Sequence, residues 1–443
     1  MLPQGRQNPH ATIALVSIRL QSIELGRYRN MGHLKLFALA VSAASLLMGS
    51  AALADCGITS GSVRILGNDF EALKVVTKAA SECATDKVKI TINHTTEHKN
   101  LQVPALTVNP AQYTVALIAS NSVVPLLNNG LIRPLDDLVA KYGQDLQPTQ
   151  MIKIDGKVMA IAFMANSQHM FYRKDILEKA GLKPPTSYED VLADAKVIRD
   201  KKLMDNPLAA SDKAGWDLAA EFVNMYLGEG GDFFKPGSAE PAINNDKGLA
   251  TLKMMKAMTE YMSPDYMTYD ADELNKVYLA GKTAIMTQWG SLAGAAIDPK
   301  SAAPDIGANT AFAAAPTVGG GTTPAVALWW DGFAIAENIS DEDAEASFRV
   351  MMHGIRPDVA KDNPNAAAWL IKGYQPGPGA VGVIATAAAH ARPYPMLPYM
   401  GLLHTALSTG LADFMQGKDS PESALANVEK SYTAAAKEGG FIK

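Results

Sequence analysis

Apolar and polar positions along this chain switch repeatedly between a period of two and a helical period. Ser62-Val-Arg-Ile-Leu66 reads as a strand that ends in a turn at Gly67-Asn68-Asp69. From Phe70 to about Cys83 the pattern is helical. Lys87-Val-Lys-Ile-Thr-Ile92 alternates polar and apolar, as a half-buried strand does. Tyr113-Thr-Val-Ala-Leu-Ile118 is an almost unbroken apolar run, which suits a strand covered on both faces. This strand–helix–strand order predicts α/β layers around a largely parallel sheet.

The same alternation continues downstream. Lys174 to Ala180 is helical and stops at Gly181, a residue that ends helices at low cost. Thr186-Ser-Tyr-Glu189 has capping-box spacing and opens a helix to about Lys201. In the stretch Asp246 to Tyr261, Leu249, Leu252, Met255 and Met258 recur every three residues on one face. Met254, Met255, Met258 and Met262 fit a packed core face better than a soft binding surface. Ser301 to Ala327 is rich in Gly, Ala and Pro and reads as a long connection with one short strand. Trp330 to Ala336 is a further strand, and Ser420 to Gly439 a closing helix.

Composition narrows the class. At about 150 residues per domain, 443 residues predict two or three domains. With 48% hydrophobic and 19% charged residues and a net charge of −5, the chain has ample core material. Disorder is excluded as the main state. So is a nucleic-acid binder that relies on bulk positive charge. Two cysteines, Cys56 and Cys83, exclude a disulfide scaffold or a multi-thiolate zinc site.

The N-terminus reads as a targeting segment. Met31-Gly-His-Leu-Lys35 is a short basic head, Leu36 to Met48 is an uncharged run of 13 residues, and Ala52-Leu53-Ala54 offers the small residues a signal peptidase reads. A membrane-spanning helix needs roughly 20 apolar residues, so a membrane anchor is the weaker alternative. Asp55 before Cys56 argues against a lipoprotein. Residues 1–30 have no recognisable pattern, and translation is expected to begin at Met31. Cleavage after Ala54 removes five basic residues and one acid. The 389 residues that remain carry 35 basic and 44 acidic side chains, a net charge of −9. In an oxidising compartment Cys56 and Cys83 are expected to pair; two unpaired buried thiols are the alternative.

Catalytic and cofactor motifs fail on spacing. Gly281-Lys282-Thr283 lacks the upstream glycine of a phosphate loop, because position 276 is Lys. No Gly-x-Gly-x-x-Gly follows the first strand. In His94-Thr-Thr-Glu-His98 the glutamate is misplaced for a zincin, which leaves metal ligation a minor possibility. Ser291 is not on a Gly-x-Ser-x-Gly elbow. No enzyme signature survives, and no cofactor or metal is expected.

Four segments, in order, carry a family resemblance. They are Asn129 to Asp137, Gly156 to Asp175, Leu177 to Asp190, and Tyr278-Leu-Ala-Gly-Lys-Thr-Ala-Ile-Met-Thr-Gln-Trp-Gly290. Each resembles the corresponding stretch of family 1 extracellular solute-binding proteins, similar to maltose-binding proteins. The resemblance covers essentially 60–440. It implies the type II periplasmic-binding-protein fold: two α/β lobes, hinge crossovers and a ligand cleft between the lobes. On that basis 55–163 plus about 313–345 form an N-terminal lobe, and about 164–312 plus 346–443 a C-terminal lobe. It also implies the sugar, oligosaccharide or sugar-alcohol receptor of an ABC importer. Such a receptor works in the periplasm as a monomer and delivers ligand to a permease driven by an ATPase.

Sugars present hydroxyl groups and apolar C–H faces, so a sugar site needs flat aromatics and planar polar groups. Trp289 ends a strand, where clefts in open α/β sheets lie, and it matches the family's cleft tryptophan. Trp329 and Trp330 are adjacent on a strand and face opposite ways, which leaves open which one meets ligand. Asp331 is a candidate acceptor for two hydroxyls, and Trp216 a candidate wall. Loop ends add Asn68, Asp69 and Glu71 after the first strand, His94 after the second, and Ser120 and Asn121 after the third. Asn166 and Gln168 lie at the first crossover, and Arg392 in a late segment. Rival readings are a polyamine or other small solute on the same scaffold, which clustered cleft carboxylates would favour, and a secreted carbohydrate-active enzyme. Mass spectrometry of the exported protein should find Asp55 as the first residue; a peptide from within 1–30 would overturn the start at Met31.

Overall fold

The protein is described here from a computed structural model that places residues 56–443. The expected signal segment and the stretch before it lie outside those residues. Strand β1 (Gly61–Gly67) buries Val63, Ile65 and Leu66 completely. The helix Glu71–Ser81 follows and turns Ala72, Leu73, Val76 and Ala80 inward. It leads to β2 (Val88–His94), parallel to β1 with Gly61 opposite Val88 and Gly67 opposite His94. The helix His98–Thr107 then leads to β3 (Val115–Ala119), parallel to β1 on its other side. This is the expected alternation of strands and helices, with the ends of the elements read from the sequence shifted by one or two residues.

A hairpin of β4 (Met151–Ile154) and β5 (Lys157–Asn166) extends the sheet. Only Ser167 separates β5 from β6 (Gln168–Arg173), which belongs to a second sheet with β7 (Leu208–Ala209), β8 (Ile285–Trp289) and β9 (Thr310–Ala313). Its order is β7-β8-β6-β9. The chain returns through β10 (Ala327–Ile335), which lies antiparallel between β3 and β5. The short strands β11 (Ala368–Trp369) and β12 (Arg392–Pro393) pair with β5 and β10. Among the described residues the first sheet has eight strands and the second four.

Each sheet has its own core. The first joins Val63, Ile65, Leu117, Phe163 and Phe333 to Phe348 and Met351 of the helix Asp341–Gly354. The second gathers Phe222 and Tyr226 of the helix Trp216–Gly228 with Leu252, Met255 and Met258, and with Leu403, Leu425 and Tyr432 from the C-terminal helices. The methionine stripe is thus core, as its spacing predicts. Residues from Ala344 as far as Ile371 pack into the first core, and the buried face Ala344, Ser347, Phe348 and Met351 is continuous along one helix.

Local signals shift slightly. The capping box sits at Ser187 and Asp190, one residue later than Thr186 and Glu189 predict. Gly181 takes the left-handed conformation (φ 71°) that closes its helix. The connection 301–327 holds a helix, Pro304–Asn309, as well as the short strand β9. Glycine is required at position 332, where the pairing of β10 with β5 slips by one residue. A Cβ there would lie 2.2 Å from the Ile161 carbonyl oxygen.

Cys56 and Cys83 form a disulfide across 27 residues and tie the N-terminal segment to the end of the first helix. Closing a loop of that size contributes about 3 to 4 kcal/mol on the chain-entropy model. Reduction should therefore lower the free energy of unfolding in urea by about that amount. Unchanged stability after reduction would show that the bond only decorates an already ordered segment.

Candidate functional site

The loops at the ends of β1, β3, β5, β8 and β10 converge on a cavity of about 300 Å³ between the two sheets. Its size is at the lower end of small-molecule sites. On one side lie the ends of the first sheet: Asn68 and Asp69 after β1, and Asn121 after β3. The second side is the tryptophan wall of Trp216, Trp289 and Trp329. Asn166, at the last residue of β5, and Asp331, in β10, complete the seam where the chain passes between sheets.

The three indoles form a triangular cage. Their centroids are 6.2 Å apart for Trp216 and Trp289, 6.0 Å for Trp216 and Trp329, and 5.7 Å for Trp289 and Trp329. The last pair meets edge to face at 77°. Second-layer rings hold them in place. Tyr394 stacks on Trp329 at 4.1 Å, and His404 stacks on Trp216 at 5.0 Å. Burial pushes His404 down to about 4, so it stays neutral, with Nε2 3.1 Å from the Trp216 carbonyl oxygen. Trp329 is buried, and among the described residues its Nε1–H has no hydrogen-bond partner.

Trp329 and Trp330 divide as alternation along a strand requires. Trp329 faces the cage, whereas Trp330 packs against the first sheet's helix layer, beside Ala116, Ile118 and Ala334. Three further candidates fall outside the cavity. Glu71 is exposed on the first turn of its helix, along a separate surface groove. Arg392 is spent on a clamp, donating to the Gly231 carbonyl at 2.7 Å and pairing with Asp232 at 2.9 Å. His94 supports the site from behind. Its Nδ1 lies 2.7 Å from the Asn68 carbonyl oxygen and its Nε2 2.8 Å from Thr77 Oγ1, which fixes the turn carrying Asn68 and Asp69.

Of the two crossover residues, Asn166 lines the cavity and Gln168 does not. Asn166 Oδ1 accepts from the backbone N–H of Ser291, and its Nδ2 donates to Ser291 Oγ, so β5 is tied to the turn after β8. Gln168 donates to Glu221 at 2.7 Å and accepts from Asn224, deep in the second core. Ser120 is also internal: its Oγ accepts from the Trp330 backbone N–H.

Sequence reasoning missed Lys99 and Asp217. Lys99 stands in the first turn of the helix His98–Thr107, and its Nζ sits 3.8 Å from the ring centre of Trp216, across the cavity. That is cation–π geometry. Lys99 as a whole is exposed, yet protein crowds its ammonium. That crowding pushes it down to about 8, against the opposing pull of Asp217 and Asp331. Asp217 sits beside Trp216 and is pushed up to about 6 by burial and by Asp270, while Lys99 and Lys213 oppose the shift. Asp331 is pushed up to about 7 by burial, with Lys99 and the Asn166 side chain opposing. Neither residue carries a motif; only adjacency to Trp216 could have raised Asp217.

A carboxyl held above its ordinary value binds more protons folded than unfolded. Asp331 therefore weakens stability as pH rises from about 4 to about 7, with no further change above. Asp331→Asn should raise the unfolding free energy by roughly 2 to 4 kcal/mol at about pH 8 and leave it unchanged near pH 4. Urea melts of both proteins across that range check it; equal stability at every pH would mean the carboxylate is solvated.

Comparison with known proteins agrees with this geometry. The sequence profile of the bacterial extracellular solute-binding protein family matches residues 72–350. A "Probable ABC transporter-binding protein" of Deinococcus radiodurans is 25% identical over 142 residues, 31% of this chain and 34% of that one. A "Probable sugar-binding periplasmic protein" of Rhizobium meliloti is 25% identical over 170 residues, 36% of this chain and 40% of that one. The chain thus spans less than half the length of the curated relatives it matches. The fold aligns over far more. A solute-binding protein of Agrobacterium radiobacter K84, solved with ribitol, has a TM-score of 0.74 at 19% identity, over 85% of this chain and 98% of that one. One from Agrobacterium vitis S4, with bound D-mannitol, has a TM-score of 0.71 at 19% identity, over 87% and 100%. The two-lobe α/β architecture is theirs as well, and the chain belongs to the bacterial extracellular solute-binding protein family.

Proposed function

We propose that this protein is the receptor of an ABC importer and binds a small carbohydrate or sugar alcohol in the cavity between its sheets. The observation that carries this reading is the three-tryptophan cage facing the amide and carboxylate groups of Asn68, Asn121, Asn166 and Asp331. Indole faces match the C–H faces of a polyol, and planar polar groups match its hydroxyls. The similar proteins solved with ribitol and D-mannitol support it. No helix among the described residues is long and apolar enough to cross a membrane. The protein captures and releases; it does no chemistry on the ligand.

In this reading one lobe is built on the sheet of β1–β5 and β10, and the other on the sheet of β6–β9. The strand crossings near Ser167 and before β10 act as hinges. Hinge closure is the known motion of periplasmic binding proteins. Ligand drives it only by binding the closed form better than the open one. The monomer works in the periplasm after cleavage at Ala54, and the closed form presents both lobes to a permease coupled to an ATPase.

Thermal-shift screening against sugars and alditols should identify a ligand that adds about 2.7 kcal/mol of stability at a hundredfold excess over its Kd. Trp289→Ala and Trp216→Ala should each weaken that ligand by about 2 kcal/mol, roughly thirtyfold, with the melting temperature of the free protein little changed. Scattering should show compaction on binding. A ligand whose affinity ignores both tryptophans would remove the cage from the site.

A further inference from the structure

We propose that the ligand is a hydroxylated amine, an amino sugar or amino alditol, whose ammonium is held between Asp217 and Asp331 inside the tryptophan cage. This rests on the carbohydrate reading above and narrows it. The first argument is charge. Asp69, Asp217, Asp270, Asp272 and Asp331 all line the cavity, and Lys99 is the one lysine or arginine among the lining residues. Lys74 pairs with Asp69, and Lys213 pairs with Asp270 at 2.9 Å. His98 is kept neutral, pushed down to about 4 by burial. Asp272 is exposed to water. Within the cavity lining the inner pair, Asp217 and Asp331, shares one cation, Lys99, while Lys213 acts on Asp217 from outside it.

Second, the site already seats a lysine ammonium against an indole face, with two carboxylates opposing the cost of its burial. Lys99 Nζ lies against the Trp216 face, and Asp217 and Asp331 both draw it. Indole faces that flank carboxylates form the arrangement used to hold organic cations. One lysine ammonium cannot balance both carboxylates, and a ligand ammonium would supply the missing charge. A carboxylate as buried as Asp331 is costly to ionise without such a partner. The third argument concerns hydroxyls. The buried Nε1–H of Trp329 lacks an acceptor among the described residues, which a bare polyamine cannot supply and a hydroxyl oxygen can.

The pH dependence follows. Asp331 is faced by Lys99 and Asn166, and Asp217 by Lys99, Asp270, Lys213 and the Ala271 N–H. Both carboxyls sit above the ordinary range in the free protein, and a bound cation pulls them down. Binding therefore releases protons, and affinity rises with pH until both are ionised.

The test is calorimetry of the mature protein with matched pairs: D-glucosamine and D-glucose, D-galactosamine and D-galactose, 1-amino-1-deoxysorbitol and sorbitol, with spermidine as a hydroxyl-free cation. At pH 7 the amine of a binding pair should bind at least about tenfold tighter than its neutral partner, a difference within the range of one charge-assisted contact. Its affinity should rise about tenfold from pH 5 to pH 7. Asp331→Asn should abolish both effects; if that variant misfolds, the wild-type pH profile decides. Neutral members binding as tightly as their amines would overturn this inference and leave the polyol reading standing. Spermidine binding alone would overturn both, as would binding by no member of the panel.

Discussion

The pairing of β10 with β3 on one side and β5 on the other is the constraint on which the rest of the structure depends. These nine residues lie in the first sheet, send side chains into both cores, and carry Trp329 and Asp331 to the cavity. Trp329 and Asp331 are two residues apart, so both point to the cavity, and Trp330 between them points into the first sheet's helix layer. A slip of one residue would exchange these faces. The register is held by close contact at Gly332, where no side chain fits against the Ile161 carbonyl. Close packing at this glycine thus helps to fix which tryptophan lines the cavity.

The site is assembled where a stable protein would avoid such groups. Asp331 and Asp217 are carboxylates whose burial favours the neutral form, and Lys99 is an ammonium whose crowding does the same. Trp329 leaves an indole N–H without a partner. Each feature costs stability in the free protein. Such local frustration is common at functional sites. The two well-packed cores on either side offset it: Val63, Ile65 and Phe333 in one, Phe222, Tyr226 and Tyr432 in the other, are almost completely buried.

The supporting layer explains why the cage keeps its shape. His404 and Tyr394 are buried and stacked behind Trp216 and Trp329, and the two touch each other through a 3.3 Å contact between the tyrosine hydroxyl and Nδ1. His94 fixes the opposite rim by holding the Asn68 carbonyl. Asn166 joins the last turn of β5 to the turn after β8, so the crossover also sets the distance between the two sides. Rigid rings on one side and tethered loops on the other keep the geometry of the cavity fixed.

The sequence by itself determined the α/β layering, the positions of most strands and helices, the disulfide partners and the family. These follow from periodicity, turn chemistry, a single cysteine pair and ordered local motifs, all of which act over short stretches of chain. It also placed Trp216, Trp289, Asn68, Asn121 and Asn166 near a cleft, because strand ends in open sheets converge there. Tertiary structure alone chose Trp329 over Trp330, spent Arg392 on Asp232, turned Glu71 to the surface and put His94 behind the rim. It alone brought Lys99 to Trp216 and Asp217, 117 and 118 residues further along the chain. Side chains so distant in sequence share no local signal; their meeting is set by how two sheets face each other, and that is a property of the folded whole.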